Sequence, residues 1–284
     1  MKRISTEQIE AFINQALEED VKDGDHTSLA CIPSNKRDKA RLLVKDPGVI
    51  AGVELAKMIF MHVDPTAVID IKIEDGKDVF YGDEAFYVEC GSQALLKAER
   101  LVLNTMQRMS GIATMSSRFA VEVEGLDVKI LDTRKTTPLL RFLEKWAVNI
   151  GGCTNYRDGL YDWIMIKDNH IDACGSITKA VTKVHEYFDK TGIKLGITVE
   201  VRNLVELHEV LEVGGITRIM LDNFDLPILK EAVATIDGRF EAEASGGVTL
   251  NTVRKIAETG VNFISVGALT HSAGSLDLSL KVMK

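Results

Sequence analysis

A chain of 284 residues, 45% hydrophobic and 27% charged, can hold two domains, or one barrel with an appendage, and has the composition of an ordinary globular protein. Its longest apolar runs are too short to span a bilayer. Met1-Lys2-Arg3-Ile4-Ser5 leads into a polar amphipathic stretch rather than a signal-peptide core, so the cytoplasm is the expected location. A formal charge of -8 argues against nucleic-acid binding, which wants a basic face, and makes any local gathering of Arg and Lys informative.

Residues 5–19 carry Ile9, Phe12, Ile13, Ala16 and Leu17 at helical spacing, with Ser5 and Gln8 placed as a capping box. Asp20 to Asp25 is expected to be a loop, because Asp and Gly favour turns. Strands are expected at 40–44, 48–52, 68–73 and 85–90, the clearest being Val68 to Ile73, where isoleucines alternate with charge. A helix over about 93–109 follows, interrupted at Gly111, with a further helix toward Gly125. Arg100, Asn104, Gln107 and Arg108 align on one face of it. That stripe is either a solvated face or, with two amides between two arginines, an anion contact. Cys31, Cys90, Cys153 and Cys174 are scattered, with no metal-ligand spacing, and read as reduced thiols packed as small apolar groups.

From residue 128 the rhythm changes. Six short apolar runs begin at Val128, Trp163, Ile197, Arg218, Phe240 and Phe263, and each ends in a polar or glycine-rich terminus followed by helix-like sequence. Helices are expected from Thr137-Pro138 to Gly151-Gly152 and at about 176–189, 203–212, 225–235 and 249–259, with a last short one in 275–284. Alternating strand and helix implies a parallel sheet, and barrels of this kind bind ligands at the carboxyl ends of their strands.

Those ends carry three kinds of group. Arg134, Lys135, Arg157, Lys167 and His170 gather on the first two ends and the loop between, which suits a polyanion. Glu200 and Asp222 sit at equivalent ends of consecutive strands, where carboxylates hold sugar hydroxyls or Mg²⁺, or stabilise a developing oxocarbenium ion. Asp132 and Asp168, among the cations, are expected only to orient them. Ser245-Gly246-Gly247 before a helix and Gly267 after the last strand suit a phosphate. Together they describe a site for an anionic, phosphorylated substrate.

The stretches Asp132-Thr133-Arg134-Lys135-Thr136, Gly151-Gly152, Ile166-Lys167-Asp168-Asn169-His170, Val199-Glu200-Val201, Leu221-Asp222-Asn223-Phe224, Ala244-Ser245-Gly246-Gly247 and Val266 to His271 resemble, in order, those of quinolinate phosphoribosyltransferases (nicotinate-nucleotide pyrophosphorylase, carboxylating). Gly24 to Ser28, Ala98-Glu99-Arg100 with Leu103-Asn104, and Ser110 to Thr114 look like the same family, so the resemblance spans nearly the whole chain. It implies the type II phosphoribosyltransferase architecture: an N-terminal α/β sandwich domain over 1–112, rejoined by 270–284, and an incomplete α/β (TIM-like) barrel over 113–269.

The implied reaction joins quinolinate to phosphoribosyl pyrophosphate, giving nicotinate mononucleotide, pyrophosphate and CO₂ for NAD biosynthesis. Mg²⁺ assists and no organic cofactor is involved; nucleic acid and membrane are not expected partners. By the same resemblance Arg134 and Arg157 hold the dicarboxylate, with Tyr156 and His170 in the same group of contacts. Lys135 and Lys167 lie near the pyrophosphate and the reacting ring. Glu200 and Asp222 face the ribose hydroxyls and the metal, directly or through substrate or water, and Ser245, Gly246, Gly247 and Gly267 cradle the 5′-phosphate. Lys135, Lys167, Glu200 and Asp222 are the implied catalytic residues. The resemblance implies a dimer or a higher assembly of dimers, in which Arg100 enters the neighbouring subunit's site. One position departs from the family: Tyr156 stands where a histidine is usual, and a phenol carries no positive charge. The rival readings are a ModD-like paralogue with another acceptor, a Schiff-base aldolase using Lys167, and a non-catalytic phosphosugar sensor.

Overall fold

The structure, a computed structural model, describes residues 4–283, and the chain divides into two compact units. The first comprises the chain up to Ser117 together with Pro138–Gly152 and the stretch from Ala273. It holds α1 (Thr6–Val21), α2 (His26–Cys31), β1 (Arg37–Val44), β2 (Gly48–Val49), α3 (Val53–Val63), β3 (Val68–Ile71), β4 (Asp78–Val79), β5 (Glu84–Gly91) and most of α4 (Ser92–Glu122), then α5 (Arg141–Ile150) and β12 (Leu278–Val282). Four strands form an antiparallel sheet in the order β12-β1-β5-β3. Leu42 of β1 faces Leu280 on one side and Phe86 on the other, and Phe86 meets Phe60 of α3 edge-on with ring centroids 6.2 Å apart, so the sheet's apolar face is closed by helix.

Ser5 caps α1 by accepting from the Gln8 amide. The loop expected at 20–25 is shorter than that: α1 runs to Val21, and Asp25 accepts from the Ser28 amide to start α2, a helix the composition hid. Of the strand expected over 48–52, only Gly48–Val49 pairs, with β4.

Three further expectations are corrected here. Residues 275–284 hold a strand, not a helix: Leu276, Leu278 and Leu280 recur with a period of two, and β12 pairs with β1 across most of the chain length. The helix at Gly111 is not interrupted, since α4 is continuous from Ser92 to Glu122. The helix expected from Thr137-Pro138 starts only at Arg141, because Leu139 takes a left-handed φ of +66°, which no helix can contain. The stripe on α4 also resolves. Gln107 donates to the Leu278 carbonyl (3.0 Å), and Arg108 donates to the Ala273 carbonyl (2.8 Å) and ion-pairs with buried Glu144 (2.7 Å). These two side chains hold the unit together rather than offering themselves to an anion. Arg100 is exposed.

The second unit comprises Arg118–Thr137 and Cys153–Ser272. It contains β6 (Lys129–Leu131), β7 (Ile164–Ile166), α6 (Asp168–Cys174), α7 (Ile177–Thr191), β8 (Ile197–Val201), α8 (Leu204–Val213), β9 (Arg218–Asp222), α9 (Leu226–Ile236), β10 (Glu241–Ser245), α10 (Leu250–Ala257), β11 (Phe263–Ser265) and α11 (Ala268–His271). The six strands are all parallel, in the order β6-β11-β10-β9-β8-β7. β6 and β7 stand at the two ends of that order, and the bridge Leu131↔Thr154 ties the segment after β6 to its edge. The connection from β6 to β7 contributes no helix to this unit among the described residues, because α5 belongs to the other one. That is an incomplete α/β barrel, as expected, although the chain passes between its units more than once rather than switching near residue 112.

All four cysteines are unpaired by disulfide. Cys90 is 1% exposed, and burial pushes its thiol up to about 11. No helix among the described residues is long and apolar enough to cross a membrane.

Candidate active site

Parallel strands alternate their side chains between the two faces of the sheet, and the upper ends of β6 to β11 in this unit line a cavity of about 810 Å³. Arg134, Lys135, Tyr156, Arg157, Lys167, Glu200, Asp222, Ser245, Gly246, Gly247 and Gly267 all border it. His170 borders an adjoining cavity of about 430 Å³ instead, which shares Arg134, Arg157 and Lys167 with the first. Arg100, in the first unit, borders neither.

The acids are held differently from each other. Glu200 is 9% exposed within β8 and pairs with the Lys167 ammonium at 3.3 Å, so each fixes the other at the mouth of β7 and β8. Asp222 ends β9 and accepts from the Ser245 hydroxyl (2.6 Å) and the Asn223 amide group (2.7 Å). Ser245 thus turns its proton toward Asp222. Asn223 has φ +56° and donates its backbone N–H to the Ser245 carbonyl, locking the ends of β9 and β10 together.

Glycine at 246 follows from that lock. Its φ is +93°, and a Cβ there would lie 2.1 Å from the Asn223 Oδ1. Beyond it, Thr249 caps α10 in a box with Thr252, so a glycine turn delivers the chain to a helix start, a geometry suited to phosphate. Across the cavity, a Cβ on Gly267 would press on the His271 ring and the Lys135 side chain, both at 3.0 Å.

Asp132 ends β6 fully buried and accepts from the Asn155 side chain (2.6 Å) and the Tyr156 amide (2.8 Å). It orients the loop that carries Arg157. Arg157 leans on the Trp163 carbonyl (3.3 Å) and the Met165 sulfur (3.5 Å); burial, and next the Arg134 charge, hold its guanidinium below the ordinary value. Asp168 accepts from the Asn169 amide at the start of α6, and His170 Nδ1 accepts from the Lys167 amide at 3.0 Å, closing the first turn of that helix.

Below the cavity lies a layer that the sequence pattern did not single out. Arg218 of β9, 7% exposed, pairs with Glu243 at 3.1 Å and Glu241 at 2.9 Å, and its guanidinium lies 3.7 Å from the Phe263 ring centroid. Glu243 is fully buried and also accepts from Ser265. Burial raises its carboxyl above the ordinary value, against the lowering by Ser265, Arg218 and Tyr156. The period-two alternation Glu241-Ala242-Glu243-Ala244-Ser245 was the available signal: in a barrel strand one alternating set faces inward, and here that set is acidic. Asn223, Thr249 and His271 also border the cavity without having been singled out for roles.

The chain matches the family model described as the quinolinate phosphoribosyl transferase N-terminal domain over residues 25–110 and that of the C-terminal domain over residues 112–281. It is 47% identical to quinolinate phosphoribosyltransferase [decarboxylating] 1b of Nicotiana tabacum, over 98% of this chain and 83% of that protein. It is 40% identical to a probable nicotinate-nucleotide pyrophosphorylase [carboxylating] of Bacillus subtilis (strain 168), over 97% of this chain and 93% of that one. Among solved structures, NadC from Streptococcus pyogenes superposes with a TM-score of 0.93 at 34% identity over the full length of both chains. Both halves of the chain and the order of its strand-end groups thus point the same way: the chain belongs to the quinolinate phosphoribosyltransferase family.

Proposed function

We propose that this protein transfers a phosphoribosyl group from phosphoribosyl pyrophosphate to quinolinate, with loss of CO₂, forming nicotinate mononucleotide and pyrophosphate. The observation that carries the reading is a single cavity bordered together by four cations, two strand-end carboxylates and two glycine turns, groups suited to such a pair of substrates.

Arg134 and Arg157 take the two carboxylates of the acceptor, because guanidinium matches carboxylate in both charge and shape. The turn Ser245-Gly246-Gly247 and Gly267 receive the 5′-phosphate. Glu200 and Asp222 face the ribose, where positive charge grows as the bond from C1′ to pyrophosphate breaks and the ring nitrogen bonds to C1′. Lys135 and Lys167 lie toward the departing pyrophosphate, and the Lys167–Glu200 pair fixes one of them in place. In the alkylated ring the positive nitrogen stabilises the electron pair left on the neighbouring ring carbon as CO₂ departs, and that carbon then takes up a proton. The protein supplies binding and position, and no covalent nucleophile.

Glu200 and Asp222 also suit Mg²⁺, a hard cation that is often held by one or two carboxylates plus substrate phosphates. Bound there, the ion would be held by Glu200 and Asp222 together with substrate phosphate and water. When bound, the ion neutralises charge on the pyrophosphate. The Lys167 side chain is 46% exposed and paired with Glu200, which disfavours the aldolase reading, since a Schiff-base lysine is commonly held in a desolvated apolar pocket.

Purified protein given Mg²⁺, quinolinate and phosphoribosyl pyrophosphate should release CO₂ and form nicotinate mononucleotide, read by trapped ¹⁴CO₂ and by chromatography of the nucleotide. Turnover with nicotinate or another base, and none with quinolinate, would overturn the assignment.

A further inference from the structure

The Tyr156 hydroxyl hydrogen-bonds Thr198 Oγ1 at 2.7 Å, and the negative Glu243 acts on it electrostatically. Trp163 Nε1 lies 2.8 Å from the same Thr198 oxygen. Thr198 and Glu243 are 0% exposed, so every polar atom here must be satisfied within the protein.

An indole N–H only donates, so Thr198 accepts from Trp163. Thr198 and the Tyr156 hydroxyl share a further hydrogen bond, so Trp163, Thr198 and Tyr156 form one connected chain of side chains. Beside it, Arg218 and Ser265 both donate to Glu243.

A closed loop results. Arg157 follows Tyr156 in the chain and its guanidinium rests on the Trp163 carbonyl; the Trp163 indole reaches back through Thr198 to the Tyr156 hydroxyl. The Tyr156 backbone is pinned separately, by Asp132. Tyr156 is thus fixed at its amide by Asp132, just after β6, and at its hydroxyl by Thr198 of β8, and Arg157 is carried between the two anchors. The ring also stacks against Arg218, whose guanidinium carbon lies 5.1 Å from its centroid.

We infer that Tyr156, anchored by Thr198 and Asp132, is a positioning residue that sets where Arg157 stands over the cavity and so tunes recognition of the acceptor's carboxylates, without itself contributing charge. Burial, and next the negative Glu243, hold its phenol above the ordinary value, so it stays neutral. The acceptor role rests on the function proposed above; the mechanical coupling of Tyr156 to Arg157 does not.

Two readouts separate them. Losing one net hydrogen bond is worth about 1 kcal/mol, so Tyr156→Phe and Thr198→Val should each raise the KM for quinolinate roughly fivefold, with kcat and the KM for phosphoribosyl pyrophosphate within about twofold of the parent. The double variant should do little more than the worse single one, because both break the same chain. Thr198→Ser, which keeps the hydroxyl, should restore parental behaviour. Independently of turnover, modification of Arg157 by phenylglyoxal, mapped by mass spectrometry, should quicken in Tyr156→Phe and Thr198→Val while exposed Arg239 reacts as before. Unchanged Arg157 labelling with unchanged KM for quinolinate refutes the inference, as does an equal rise in both KM values. If the parent does not use quinolinate yet Arg157 labelling quickens in both variants, the proposed function falls and the strut stands.

Discussion

Gly246 shows how one residue can fix a site without touching chemistry. Its φ of +93° is costly for any L side chain, and the space its Cβ would need is filled by Asn223. Asn223 in turn holds Asp222. Gly246→Ala therefore has two consequences: backbone strain of about 1–2 kcal/mol, and displacement of the amide that orients the Asp222 carboxylate. Gly247 has φ +60°, and a Cβ added there would meet nothing within 4 Å, so Gly247→Ala carries the strain alone. Steady-state kinetics should show kcat/KM for phosphoribosyl pyrophosphate falling at least tenfold further in Gly246→Ala than in Gly247→Ala; equal losses would mean that Asn223 has no part in it. The glycines stood out in the sequence because Ser245-Gly246-Gly247 and Gly267 fall in order at the last two strand ends, where either turn alone would be a weak signal. Asn223 and His271 were not singled out, since their importance comes from what approaches them. Glu243 was invisible for a related reason. A glutamate in a strand reads as solvent-facing unless its arginine is known, and Arg218 reaches it only across the β9–β10 pairing.

At the scale of elements, the runs that became β6 to β11 were readable because parallel strands buried on both faces are short and apolar. The misread elements share a different property: their partners are distant in sequence. β12 looked helical until paired with β1, and Gln107 and Arg108 read as a solvated face or an anion contact until Leu278, Ala273 and Glu144 were seen beside them. Gly111 is the sharpest case. Read alone, it marks a helix break; in the structure it lies inside α4, where a Cβ would stand 1.8 Å from the Gly274 carbonyl oxygen. Helix propensity says that Gly→Ala in a helix interior stabilises by about 1 kcal/mol. Packing says the reverse, because the obstacle is backbone and cannot rotate away. Gly111→Ala should lower the melting temperature by several degrees, at roughly 2–4 °C for each kcal/mol in a domain of this size. A raised melting temperature in differential scanning calorimetry would show that the segment at Gly274 yields, and that α4 is not clamped there.

The whole molecule poses a question of charge. A chain with a net charge of -8 concentrates Arg134, Lys135, Arg157 and Lys167 around one cavity, and every residue bordering that cavity belongs to the second unit. Arg100 belongs to the first, exposed on α4, where no ion pair or fold contact of the kind that employs Arg108 explains it among the described residues. We propose that it serves the cavity of a second copy in a symmetric dimer, where two equal sites each take one arginine from across the interface. The two halves of such a site can then be broken in different chains. Arg100→Ala removes the donated arginine and Lys167→Ala the resident lysine, so each homodimer should lose nearly all activity. A mixed dimer carries one site missing both groups and one site with both present, and activity should return when the variants are co-expressed with different tags and the mixed species is isolated. If verified mixed dimers stay as inactive as either parent variant, Arg100 does not act across an interface. If Arg100→Ala alone keeps full activity, it has no place in the site at all, and the cations of the second unit suffice for the polyanion.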